Sequence, residues 1–202
     1  MQTAMAKRIE RQEQILQSLD RFGFLSRSHI QRLHRLGGDR NAQKVLKHME
    51  EYLQSFREEE YGTVYYLNRV GRQMIGSHKV VRRTLQTKHT LMRNDYFFHM
   101  GCPVNWRNEI KVTDGKTTLV TDALFTKNKR HNFLEVDNTQ SMVENSAKIK
   151  RYRKMFDRGL FHKEFGYFPT LHIVTVSRGR VRKFTELCEG LPVEVCQIND
   201  IM

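Results

Sequence analysis

Three carboxylates within sixteen residues, Asp122, Glu135 and Asp137, are the part of this sequence best equipped for chemistry. They sit in two runs with strand-like alternation, Leu119 to Phe125 and Phe133 to Asp137, separated by the polar turn Lys127 to Arg130. A tight turn centred between Asn128 and Lys129 makes residues whose numbers add to 257 face one another, which sets Asp122 across from Glu135. Period-two alternation then puts Asp137 on the face that carries Glu135, with Val136 on the other. Like charges gathered this closely need a cation, a lysine or a proton to compensate them. Hard divalent ions such as Mg²⁺ take oxygen donors in such a set.

Other chemistries are excluded more easily. Gly115-Lys116-Thr117 resembles the end of a phosphate-binding loop, but Ile110 stands where that motif requires its first glycine. Asp114-Gly115 is a hairpin turn instead. The three cysteines, Cys102, Cys188 and Cys196, form no C-x-x-C pair, and the nine histidines form no H-E-x-x-H group. That argues against a disulfide scaffold and a structural zinc, and it suits a reducing, cytoplasmic compartment.

Charge points to the partner. Over 202 residues, 35 Lys and Arg against 22 Asp and Glu leave a net charge of +13. An excess of this size favours a polyanion, most often nucleic acid. Residues 1–90 hold 17 basic and 9 acidic side chains, and residues 91–202 hold 18 and 13, so the first part is the more basic. With no apolar run near the roughly 18 residues of a membrane span and no signal-peptide core, neither membrane insertion nor export is expected.

Ala4 to Leu19 has helical spacing, with Met5, Ile9, Ile15, Leu16 and Leu19. Ser26 caps a short helix carrying Ile30, Leu33 and Leu36, which Gly37-Gly38 ends. A third helix opens near Asp39, its inward stripe running Ala42, Val45, Leu46, Met49 and Leu53. Ser55 to Glu60 and Thr63 to Leu67 then form a hairpin around Tyr61-Gly62. Three helices and a hairpin are the winged helix-turn-helix order. The outward face of its third helix offers Arg40, Asn41, Gln43, Lys44, Lys47 and His48, donors suited to base edges and phosphates of double-stranded DNA. A solvated face in a basic protein has the same composition. Glu58, Glu59 and Glu60 would repel phosphates, so the hairpin tip should face away from DNA or toward a protein.

Asn68 caps a further short helix ended by Gly76, which closes a first domain over residues 1–76. The weakly periodic stretch 77–88, with Lys79, Arg82, Arg83 and Lys88, is expected as a basic linker, and Arg82 and Arg83 as additional DNA contacts. Residues 89–202 order as helix (His89 to Met100), strand (Asn105 to Thr113), the carboxylate hairpin, and helix (Ser141 to Phe156). A strand (Thr170 to Val176), a helix (Phe184 to Glu189) and a last strand (Val193 to Ile198) follow. The result is a mixed α/β domain.

The order Asp122, then Glu135-Val-Asp137, then Lys148-x-x-x-Tyr152 on a helix resembles the PD-(D/E)XK nuclease fold. Together with Asn68 to Gly76, His89-Thr-Leu91 with Asn94, Trp106 with Glu109, and a preceding winged helix, the chain is similar to the replication-relaxation family of plasmids and other mobile elements. The resemblance implies DNA binding tied to plasmid replication, mobilisation or transcriptional control. It also implies Glu109, Asp122 and Glu135 as metal ligands, Asp137 as an extra ligand, and Lys148 as the charge stabiliser. Two positions depart from the nuclease pattern: Thr121 replaces its proline, and Asp137 replaces its catalytic lysine, a role Lys148 could assume from the helix.

Two outcomes therefore stay open. One is a DNA-binding protein whose nuclease-like domain has lost its chemistry and needs no cofactor, its sheet serving DNA contact or a homodimer. The other is a Mg²⁺-dependent endodeoxyribonuclease with Asp122, Glu135 and Lys148 as catalytic groups. An adaptor bound to replication or transfer proteins through Glu58 to Glu60 is the third.

Overall fold

A computed structural model describes residues 3–201. Helix α1 spans Ala4–Phe22, capped by Thr3, and strand β1 spans Leu25–Ser26. Ser26 also begins α2 (Arg27–Leu33) through a reciprocal capping box with His29. Helix α3 spans Asp39–Lys47, β2 Leu53–Glu58, β3 Gly62–Leu67 and α4 Arg69–Met74. The three strands form an antiparallel sheet in the order β1-β3-β2.

Helix α3 is shorter than its apolar stripe suggests. It ends at Lys47, Met49 lies buried in a turn closed by the Tyr52 amide on the Met49 carbonyl, and Leu53 opens β2 opposite Leu67. Helical spacing continued by chance through a turn and into a strand because all three settings bury the same residues. Asn68 caps α4 by accepting from the Gly71 amide at 2.9 Å. A Cβ on Gly71 would lie 2.3 Å from the Tyr52 carbonyl oxygen, so only glycine permits this approach.

Helix α5 (Thr87–His99) follows, and the chain divides into two compact units, 1–94 and 95–202, within it. The stretch 77–88, expected as a linker, is held by the first unit. Lys79 Nζ donates to the Asp20 carbonyl at 2.9 Å, Ser77 Oγ to the Asp20 carboxylate, and Val81 packs with Phe24 and Val64. The Asn94 amide caps the chain where α1 gives way to β1, donating to the Phe24 carbonyl at 2.7 Å.

The second unit is a five-stranded mixed sheet in the order β4-β5-β6-β7-β8, formed by Arg107–Thr113, Thr118–Lys127, Arg130–Asp137, Thr170–Thr175 and Val193–Gln197. The first three strands are antiparallel, and β6, β7 and β8 run parallel. Asn128 and Lys129 turn the β5–β6 hairpin with φ of 50° and 63°, the backbone of a two-residue primed turn. The Asp114 carboxylate organises the β4–β5 turn by accepting from the Lys116 and Thr117 amides. Helix α6 (Met142–Arg158), entered by a Ser141–Glu144 capping box, packs Ile149, Tyr152 and Met155 onto a core with Phe133, Leu171 and Ile173.

Two features escape the sequence reading. Helix α7 (Leu160–Phe165) lies between two left-handed glycines, Gly159 and Gly166. Helix α8 spans Arg178–Leu187, six residues earlier than expected, because Ser177 caps a polar first turn that carries no apolar signal. The chain is thus a mixed α/β protein with an N-terminal helical region and a C-terminal mixed sheet, consistent with a winged-helix and PD-(D/E)XK-like architecture.

Candidate functional site

The β5–β6 hairpin adopts the register that the turn dictates: Ala123 faces Leu134 and Lys127 faces Arg130, so each pair adds to 257. The ladder stops there, and Asp122 and Glu135 continue the row without pairing through their backbones. In place of a ladder bond, the Val136 amide donates to Asp122 Oδ2 at 2.7 Å. On the other side, the pairs Asn108–Ala123 and Ile110–Thr121 flank Glu109 and Asp122, and Glu109 has a left-handed φ of 52°. Leu119 and Leu124 both pack against the core under α6 although they stand five positions apart, so alternation breaks once between them. Glu109, Asp122 and Glu135 therefore lie at one level across three strands.

Glu135 is buried under α6. Tyr152 donates its hydroxyl to Oε1 at 2.5 Å, and Lys148 Nζ forms an ion pair with Oε2. Burial and the neighbouring Asp122 carboxylate together outweigh these two partners and push Glu135 up to about 8. Burial and Glu135 likewise drive the Tyr152 phenol well above its ordinary range. Thr121 Oγ1 completes the local network by donating to the Leu134 carbonyl at 2.8 Å.

Asp137 shares that face but not that pocket of partners. Arg180, at the start of α8, grips it with Nε and a terminal nitrogen, each at 2.5 Å. Asn145 donates to Oδ1 at 2.7 Å and Thr175 to Oδ2 at 2.5 Å. The crowding expected of a third carboxylate is thus relieved by a counter-ion the sequence reading missed. Arg180 lies 43 residues beyond Asp137 and at a helix start, and no local pattern announces the pairing. Among the described residues, no three His, Cys, Asp or Glu side chains are grouped to hold a metal ion. Both Asp137 oxygens and both Glu135 oxygens are engaged by side chains of the chain itself.

On the opposite face of the sheet, the Tyr96 hydroxyl bonds His172 Nδ1 at 2.7 Å and Asn132 meets Nε2 at 3.1 Å. Burial holds His172 down to about 4.

In the first unit, Arg40, Asn41, Gln43, Lys44, Lys47 and His48 are all exposed along α3. Two of the six are partly engaged: Asn41 Nδ2 donates to the Leu36 carbonyl at 2.6 Å, and His48 Nδ1 lies 2.6 Å from the Lys44 carbonyl. Arg40, Lys44 and Lys47 have no carboxylate partner among the described residues. Asp39, the one acid in the helix, faces Arg27 at 3.4 Å. Arg82 and Arg83 are exposed as well, but Arg83 pairs with Glu58 at 3.5 Å and stacks on the Phe56 ring at 4.5 Å. Lys88 pairs with Glu60 at 2.7 Å. The acidic hairpin tip is therefore partly neutralised by the 77–88 segment.

A sequence profile described as Replication-relaxation matches residues 16–171. No curated protein matches the chain. Among solved structures, the crystal structure of protein VC1899 from Vibrio cholerae is similar over 96% of this chain, with 11% identity and a TM-score of 0.39. The chain spans about half (49%) of that protein's length. Among the described residues, no helix is long and apolar enough to cross a membrane.

Proposed function

The chain belongs to the replication-relaxation family, and from that premise we propose that it is a DNA-binding protein of a plasmid or mobile element, acting in replication, mobilisation or transcriptional control. Its first unit is a winged helix whose α3 enters the major groove. Its second unit is a PD-(D/E)XK-like domain that contributes a platform and no cleavage. The observation that carries the reading is the α3 surface, where Arg40, Lys44 and Lys47 are exposed and no carboxylate of the described residues neutralises them. Exposed, unpaired cations on one helix face are the electrostatic footprint of a phosphate-rich partner. The loss of chemistry is supported by Asp137, which stands at the position of a catalytic lysine and is held by Arg180.

A second reading, a metal-dependent endodeoxyribonuclease, draws on Glu135. A buried carboxyl pushed up to about 8 beside a lysine and a second carboxylate is the kind of perturbed group active sites contain. Structural networks also produce it. One experiment separates the readings: supercoiled and linear DNA are incubated with the protein in Mg²⁺, Mn²⁺ or EDTA, and both mobility shift and strand cleavage are scored. A salt-sensitive shift without cleavage is expected. Metal-dependent nicking that disappears in both Asp122→Asn and Glu135→Gln selects the enzyme, and the absence of both shift and cleavage removes DNA as the partner.

A further inference from the structure

Helix α1 runs well beyond the core it serves. Its buried residues begin at Ile15, yet it is helical from Ala4, so about three turns extend with no buried side chain. These turns flank α3 across a groove of about 400 Å³. One wall carries Lys7, Arg8 and Arg11, and the other carries Asn41, Lys44 and His48. No carboxylate lines the groove. Among the described residues none forms an ion pair with Lys7, Arg8 or Arg11, while Glu10, outside the groove, interacts with Gln14. Cations three and four residues apart on one helix face repel each other, and a fourth across the groove adds to the repulsion. An anion seated in the groove relieves that repulsion.

The helical positions sort α3 into two faces. Arg40, Gln43 and Lys47 point one way, Asn41 and His48 line the groove toward α1, and Lys44 stands on the edge between them. We infer that the α1–α3 groove seats a phosphodiester backbone of the same duplex that α3 reads, which makes Lys7, Arg8 and Arg11 a second set of phosphate contacts. This rests on the DNA-binding reading of α3 and extends it to α1. Lys44 belongs to both contacts, so one duplex satisfies both walls.

The test is the salt dependence of binding to a fluorescently labelled duplex, followed by anisotropy. Wild type is compared with Arg8→Ala/Arg11→Ala, Lys44→Ala/Lys47→Ala and, as a charge-matched control elsewhere, Lys116→Ala/Lys163→Ala. All six side chains are exposed, and circular dichroism confirms that each variant folds. Each lost phosphate contact lowers the slope of log K against log salt by about 0.9. The Arg8/Arg11 variant should therefore fall by about 1.8, with the control unchanged. A slope equal to wild type in that variant, while Lys44/Lys47 lowers it, overturns the groove and leaves the α3 reading standing. An equal fall in the control reduces the effect to net charge and overturns the groove as well. If wild type shows no salt-sensitive duplex binding, the reading of α3 fails and takes this inference with it.

Discussion

The two charged surfaces of this chain are opposites in how their charges are met. In the second unit, Asp137 is answered by Arg180, Asn145 and Thr175, and Glu135 by Lys148 and Tyr152, all beneath helices. In the first unit, Arg40, Lys44, Lys47 and the α1 cations Lys7, Arg8 and Arg11 stand exposed with no carboxylate among the described residues to answer them. A charged group already engaged inside the fold has little left for a ligand. A charge left unanswered at the surface contributes nothing to the fold and is available to a partner. On the proposed reading, the constellation that looked chemical serves structure and the helix face that looked ordinary serves recognition.

The largest effect should come from breaking the satisfied set. Asp137→Asn leaves the Arg180 guanidinium, only 24% exposed, without its counter-charge. Removing one partner of such a buried pair costs about 3–5 kcal/mol, read as a fall in urea-unfolding free energy. This reverses the expectation from crowding alone, under which neutralising Asp137 relieves repulsion and stabilises. A variant as stable as wild type would show that Arg180 does not hold the site.

Glu135 gives a pH test of the same contrast. Its folded value near 8 lies above the ordinary 4.5, so its contribution to stability is complete below 4.5 and is lost as pH rises toward 8. His172, held down to about 4 from 6.5, acts in the opposite sense, and its contribution is complete above 6.5. The window from pH 6.5 to 8 therefore isolates Glu135. Across it wild type should lose about 2 kcal/mol, at 1.36 kcal/mol per unit, and Glu135→Gln should remove most of that slope. An unchanged slope in the variant would place the titration elsewhere.

How much of this was legible beforehand depends on sequence distance. The β5–β6 register followed from a turn between Asn128 and Lys129, four-residue information that fixes every facing pair, so the approach of Asp122 to Glu135 could be read directly. Lys148 and Tyr152 could be read too, since four residues along a helix share a face. The break in alternation near Asp122 could not, because a sheet interruption involves the partner strand bearing Glu109. Nor could Arg180, which reaches Asp137 only once β7 and the crossover to α8 have placed it. The α1 groove was hidden for another reason: Lys7, Arg8 and Arg11 look like the solvated side of an amphipathic helix until α3 is set beside them.

On the recognition side, Arg40→Ala should cost about 1–3 kcal/mol of specific DNA affinity and relax the preference at one base position, measured by competition with single-base variants of the bound site. A uniform loss across all sequences would instead make Arg40 a phosphate contact.

The smallest effect should come from Arg83, which divides the cations of a single segment by the same rule. Arg82 and Arg83 are neighbours, both exposed, and both expected from sequence as DNA contacts. Arg83 is engaged by Glu58 and by the Phe56 ring, whereas Arg82 has no carboxylate partner among the described residues. An exposed ion pair and an exposed cation–π contact are together worth about 0.5–1 kcal/mol. Arg83→Ala should lower unfolding free energy by that amount and leave the salt slope of DNA binding unchanged, because its charge is already matched within the fold. Arg82→Ala should do the converse, with stability unchanged and the slope lower by about 0.9. Equal slopes for the two variants would mean that partners inside the fold do not decide which cations meet DNA, and the distinction between the two surfaces would lose its physical basis.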